Sequence, residues 1–169
     1  MAIKPILFNT EMVRAILDGR KSCTRRIIKP QPTAHYGTQC VIPPYKPRDI
    51  LYVRETFIQA AAHTFWYKAD DKSWISEGLH WKPSVHMPKE AARIWLKVTD
   101  VRVEQLQDMT DDDAEAEGCF DYTSTALGFP DVWDSTIKKS DLDRYGWETN
   151  PWVWVIEFER CEKPEEVRS

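Results

Sequence analysis

Closely spaced cysteines are what this chain most conspicuously lacks. Its four, Cys23, Cys40, Cys119 and Cys161, are scattered, with no CxxC and no close Cys/His pairing. Neither a disulfide framework nor a metal site is therefore expected, zinc included. His-x-Glu and Pro-Cys-x-x-Cys are also missing, which argues against the zinc-dependent deamination of nucleobases, a reaction that needs both. No apolar run approaches the ~20 residues that span a bilayer, and no basic-then-apolar leader opens the chain. A soluble, cytoplasmic protein with no membrane partner is the expectation.

What is present supports a real core. The 169 residues are 42% hydrophobic and include eight tryptophans, enough for one domain that buries roughly 70% of its unfolded surface. The net charge of −4 conceals a split. Residues 1–54 hold ten Lys/Arg against three Asp/Glu, whereas residues 100–169 hold seven against nineteen. A nucleic-acid ligand would seek the first surface and avoid the second, and a small or single-stranded ligand suits this balance better than a long duplex.

Ile6 to Phe8 reads as a short strand. Asn9 or Thr10 then caps a helix that runs through Asp18, with Met12, Val13, Ile16 and Leu17 on one face and Gly19 as its stop. A strand ending at Ile27 and Ile28 follows, then a proline-rich loop over 30–48. Asp49 to Phe57 and Phe65 to Lys68 read as strands, and 69–92 as an irregular insertion over the surface. Ile94 to Leu106 alternates like a strand, with a phase change near Thr99 that predicts a bulge. Thr110 to Asp113 forms a capping-box variant for a helix stopping at Gly118, and Pro130 can start another. Trp152 to Phe158 is apolar on both faces except at Glu157, so a central strand is expected. A single domain over 1–160 follows, with insertions near 30–48, 69–92 and 119–150 and a flexible charged tail at 161–169. Strands interrupted by short helices, without βαβ alternation, predict a small mixed barrel.

The segment Gly19 to Arg26 (Gly-Arg-Lys-Ser-Cys-Thr-Arg-Arg) is chemically the richest. It packs four basic residues and two hydroxyls into eight positions. A hydroxyl nucleophile needs a base, and a partly desolvated lysine can serve, which singles out Lys21 and Thr24. Strict strand alternation would put the two on opposite faces. They converge only if Lys21 belongs to the turn and Thr24 to the strand. A solvated basic turn is the plainer alternative.

In order, the helix with its basic segment, the run Asp49 to Glu55, the strand Leu96 to Val101, the helix Thr110 to Gly118 and the ending Trp154 to Phe158 resemble the ASCH family. That family has a PUA-like β-barrel, so the resemblance, spanning most of residues 3–159, implies an α+β fold of this kind. It looks closest to ASCH proteins of bacteriophages and prophages, which share the Asn150 to Trp154 ending and the Lys82 to Pro88 insert; a phage-encoded chain would work in the host cytoplasm. Small bacterial members are cofactor-free, metal-independent amidohydrolases that deacetylate N4-acetylcytidine. Carried over by position, their catalytic groups land on Lys21, Thr24 and Glu117. Glu115 is the competing match, roughly 200° around the helix from Glu117. The mechanism so implied has Lys21 deprotonate Thr24, Thr24 attack the amide carbonyl, and Glu117 protonate the departing amine. PUA-like barrels also bind RNA or modified bases without chemistry, and some ASCH proteins are ribonucleases acting on single-stranded RNA. The partner is then a modified nucleoside or single-stranded RNA.

Further substrate contacts are expected from Arg20, Arg25, Arg26 and Arg54. Arg26 could hold a developing oxyanion or orient Glu117. Trp66, Tyr67, Trp81 and Trp152 could stack on a base, a contact worth roughly 1–3 kcal/mol, with Trp81 and Trp152 favoured. Ser84 and His86 lie in the phage-type insert, where they would cap or narrow a pocket. His35, His63 and His80 read as loop residues, and Arg54 with Glu55 as either an internal ion pair or a ligand contact.

Overall fold

The computed structural model describes residues 1–33, 41–70, 78, 80–119 and 128–165. His35 and Cys40 lie outside them, as do parts of the three expected insertions. Seven strands and four short helices are described: β1 (Ile3–Leu7), α1 (Thr10–Leu17), β2 (Cys23–Ile27), β3 (Ile50–Arg54), β4 (Phe57–Ala61), β5 (Thr64–Tyr67), β6 (Trp95–Gln105), α2 (Asp111–Ala116), α3 (Phe129–Ser135), α4 (Leu142–Tyr145) and β7 (Trp152–Cys161). Among the described residues no helix is long and apolar enough to cross a membrane.

Five strands form a mixed sheet in the order β1-β3-β6-β7-β2, and β4 pairs with β5 in a separate hairpin. The fold is α+β as expected, but the sheet is not closed into a barrel. β1 pairs in parallel with β3 and β2 antiparallel with β7. A side chain links the two edges: Arg26 Nη2 donates to the Leu7 carbonyl at 2.8 Å.

β7 is central, with both faces covered, which explains its unbroken apolar run. Trp154, Ile156 and Phe158 pack with Phe8, Val13 and Ile16 beneath α1. Val153 and Val155 face the other way, toward Ala114 of α2 and Phe129 and Trp133 of α3. The β6–β7 register shifts between Val98 and Asp100, so the bulge falls at Thr99. β7 continues to Cys161, opposite Trp95, one residue beyond the expected domain boundary.

Two further sequence expectations change. The strand foreseen over Asp49 to Phe57 breaks at Glu55 and Thr56, where the chain leaves the main sheet for the hairpin. The segment 69–92 does more than cross the surface: Met87, Ala91 and Ala92 form a third apolar cluster with Ile50, Phe57 and Trp95. Spaced among prolines and charged residues, those three carry no strand or helix periodicity for pattern reading to find.

Candidate functional site

Three chain ends meet at the basic segment. The Asn9 side chain caps α1, accepting from Met12 N at 2.8 Å, and Gly19 closes the helix with φ +76°. The next two amides, of Arg20 and Lys21, donate to the Ala15 carbonyl at 2.8 and 3.1 Å. Ser22 N then donates to Ala116 O at the end of α2, and Ser22 O accepts from Phe158 N of β7. Lys21 therefore lies in the turn and Thr24 in β2, the arrangement that convergence required.

α2 brings the third residue. Thr110 and Asp113 form a capping box at its N-terminus, and Glu117 is its C-cap. Glu115 is exposed, whereas Glu117 is 7% exposed and forms an antiparallel bridge with Lys21. Gly118 makes this approach possible: its φ is +93°, and a Cβ there would stand 2.8 Å from Ala15 Cβ and 3.4 Å from Lys21 Cβ.

Lys21 Nζ donates to Glu117 Oε2 at 2.6 Å, Cys23 O at 2.7 Å and Glu117 O at 3.1 Å. Three acceptors match the three hydrogens of an ammonium. The ammonium also lies 5.6 Å from the centre of the Phe8 ring, within cation–π range. Among the described residues the Thr24 hydroxyl makes no hydrogen bond, to Lys21 or to any other group.

Arg25, its side chain fully buried, reaches Glu117 Oε1 at 3.3 Å and Glu104 Oε2 at 3.4 Å, with Asp113 Oδ2 at 3.6 Å. Its Nε has no partner, the one such buried side-chain atom among the described residues. Desolvation alone would lower the Arg25 pKa, but the facing Glu117, Cys23 and Asp113 outweigh it and leave it raised. Burial, followed by the charge of Glu117, pushes the Cys23 thiol up to about 12. Asp113 is opposed by desolvation, yet the Thr110 bonds and Arg25 hold it below the usual carboxylate value.

Thr24, Arg25, Arg26 and Glu117 line one small cavity of about 30 Å³, with Met12, Phe129 and Trp133 among its apolar walls. β2 is an edge strand, so side chains from both of its faces can border a cavity at that edge. A larger cavity of about 380 Å³ lies beside Arg26, lined also by Ile27, Lys29, Ile42, Pro44, Tyr45 and Trp154.

The remaining expected contacts lie apart. Arg20 bonds Asp18 Oδ2 and the Gly118 carbonyl. Arg54 holds the turn at Ser84–His86 from below, donating to the carbonyls of Met87 at 2.8 Å and Val85 at 2.5 Å. Ser84 and His86 thus sit on a turn anchored to β3 and line neither cavity, and the half-buried Trp81 is likewise in neither lining. Trp152 packs against the core beneath α1. Glu55 pairs with Arg93 rather than Arg54, at 2.8 and 3.0 Å, and Tyr67 lies under the Arg93 guanidinium at 4.0 Å. Trp66 stays 44% exposed. The parts that Phe8, Glu104, Tyr45 and Trp154 play here, and the contact of the capping residue Asp113 with Arg25, escaped the sequence reading, because they arise between distant segments. Among the described residues no group of three or more His, Cys, Asp and Glu is placed to hold a metal ion.

No family model matches the sequence, and no curated protein does. Solved structures do. The crystal structure of an ASCH domain from Lactobacillus crispatus JV V101 matches with a TM-score of 0.55, covering 94% of this chain and 79% of that one at 12% identity. The chain has the fold of an ASCH domain. A crystal structure of a hypothetical protein matches at TM-score 0.48 and 14% identity, over 95% of this chain and 100% of that one. At such identities the ASCH likeness is one of fold, and the chemistry must be argued from the cluster itself.

Proposed function

We propose that this ASCH-fold protein hydrolyses a small acyl amide on the exocyclic amine of a cytidine-type nucleoside, with N4-acetylcytidine as the type substrate. The observation that supports it is that Thr24 and Glu117 line the same small cavity while Lys21 is ion-paired to that glutamate. About 30 Å³ holds a water or a small acyl group, leaving the nucleoside at the mouth.

The ion pair suggests how acid and base arise together. A proton passing from Lys21 to Glu117 along their 2.6 Å hydrogen bond leaves a neutral amine and a neutral acid. The amine, turned from Cys23 O toward Thr24, takes the hydroxyl proton as Oγ1 bonds to the acyl carbon. The C–N bond breaks and Glu117 returns its proton to the leaving nitrogen. In the second half a proton again passes from the Lys21 ammonium to Glu117; the neutral amine then deprotonates water as it attacks the ester, and Glu117 protonates Thr24 Oγ1, which restores the ion pair.

One observation favours a second reading, recognition without chemistry: the Lys21 hydrogens are saturated and none reaches Thr24. Acetate release from N4-acetylcytidine separates the two. The hydrolase reading expects turnover by the native protein and its loss in Thr24→Ala with substrate still bound. Binding without release by the native protein establishes the recognition reading instead.

A further inference from the structure

The cations of the basic segment are not equivalent. Arg20 pairs with Asp18, Lys21 with Glu117, and Arg25 with Glu117 and Glu104. Arg26 and Lys29, by contrast, have no carboxylate within ion-pair distance among the described residues. Arg26 meets the Leu7 carbonyl and the Phe8 ring, and Lys29 the Tyr145 ring at 4.8 Å. Both of these cations line the 380 Å³ cavity, and among the described residues no acidic side chain does. In a chain of net charge −4, this is a local excess of positive charge around a hollow.

The rest of the lining fits a ring. Tyr45 is half-buried, its hydroxyl fixed at 2.9 Å from the Pro5 carbonyl. Trp154 is 8% exposed and set in β7 opposite Arg26. Ile42, 86% exposed, stands at the rim. The volume falls within the roughly 300–1,000 Å³ of ligand sites, whereas the catalytic cavity is an order of magnitude smaller. Arg26 lines both.

We propose that this cavity is a binding site for a nucleoside phosphate, with the phosphate on Arg26 and Lys29 and the base against Tyr45 and Trp154. Charge-assisted bonds from a guanidinium and an ammonium recognise the anion, and aromatic side chains supply a sequence-tolerant surface for the base. The site rests on the reading of the protein as one that recognises nucleosides, and it extends that reading to phosphorylated units. Because Arg26 is shared, a nucleotide here would lie next to whatever Thr24 acts on.

Binding by isothermal titration tests this without any turnover. Cytidine 5′-monophosphate should bind about tenfold or more tightly than cytidine, the effect of one or two charge-assisted bonds. Lys29→Glu, a change at an exposed position, should cancel that difference at an unchanged melting temperature. Ile42→Asp at the rim should weaken the monophosphate in the same direction. Hexacytidylate tighter than the monophosphate assigns the site to a unit within a strand; equal affinity assigns it to free nucleotides. Equal affinities for cytidine and its monophosphate, or a preference that survives both substitutions, overturn the proposal. A protein that shows the preference yet releases no acetate from N4-acetylcytidine retains this site and loses only the hydrolase reading.

Discussion

Lys21 and Glu117 stand 96 residues apart in the chain and 2.6 Å apart in the protein, with side chains 0% and 5% exposed. Glu117 also answers the buried Arg25, so one carboxylate compensates two cations away from water.

Removing that carboxylate leaves both cations buried without their shared counter-charge. Glu117→Ala should cost about 3–5 kcal/mol in urea unfolding. Glu115→Ala, at an exposed position two residues earlier, should stay within about 0.5 kcal/mol. Equal effects would remove Glu117 from its place in the cluster.

Gly118 is constrained in two ways, by a φ of +93° and by Ala15 Cβ 2.8 Å from where its own Cβ would be. Gly118→Ala should destabilise by about 1–3 kcal/mol, since conformational strain and overpacking act together. Gly19 shares a positive φ but has open space around it, so Gly19→Ala should cost less. Thermal melts of the pair check the ranking.

Asp113 links the capping box to Arg25. Its pKa lies below the ordinary 3.8 because the Thr110 bonds and Arg25 outweigh desolvation. A depressed folded value means stability that is complete above the unfolded pKa and lost as pH falls below it toward the folded one. Asp113→Asn should therefore lower stability at neutral pH and flatten its fall below about pH 4. Unfolding curves over that range measure both.

Cys23 is 3% exposed, and burial beside Glu117 pushes its pKa up to about 12. The neutral thiol is a poor nucleophile. Iodoacetamide at about pH 8 should leave Cys23 unlabelled in the folded protein and label it in urea, as read by peptide mass mapping. A raised folded pKa contributes stability that is present below the unfolded value of 9.0 and lost as pH rises toward 12. Cys23→Ala should remove that share of the alkaline loss.

Much of the scaffold is legible from local rules. The Asn9 cap, the Gly19 stop, the Thr99 bulge, the Thr110–Asp113 box and the central position of β7 all follow from signals within a few residues. Closure into a barrel did not follow. It depends on whether β1 and β2 pair, and a side-chain bond from Arg26 to Leu7 stands where closure would need a ladder. The core role of Met87, Ala91 and Ala92 was hidden for a similar reason, since a short turn-rich segment has no period to read.

The chain by itself determined which chemical groups were available and that Lys21 and Thr24 could converge only with the first on a turn and the second on a strand. Local propensity and the three-residue spacing are enough for that. Only the tertiary structure decided which charges neutralise one another, because burial and distance between remote segments set that pairing. It chose Glu117 over Glu115 by turning one inward at the end of α2. It also left Arg26 and Lys29 without a carboxylate partner among the described residues, at a cavity that neither residue's neighbours in sequence would reveal.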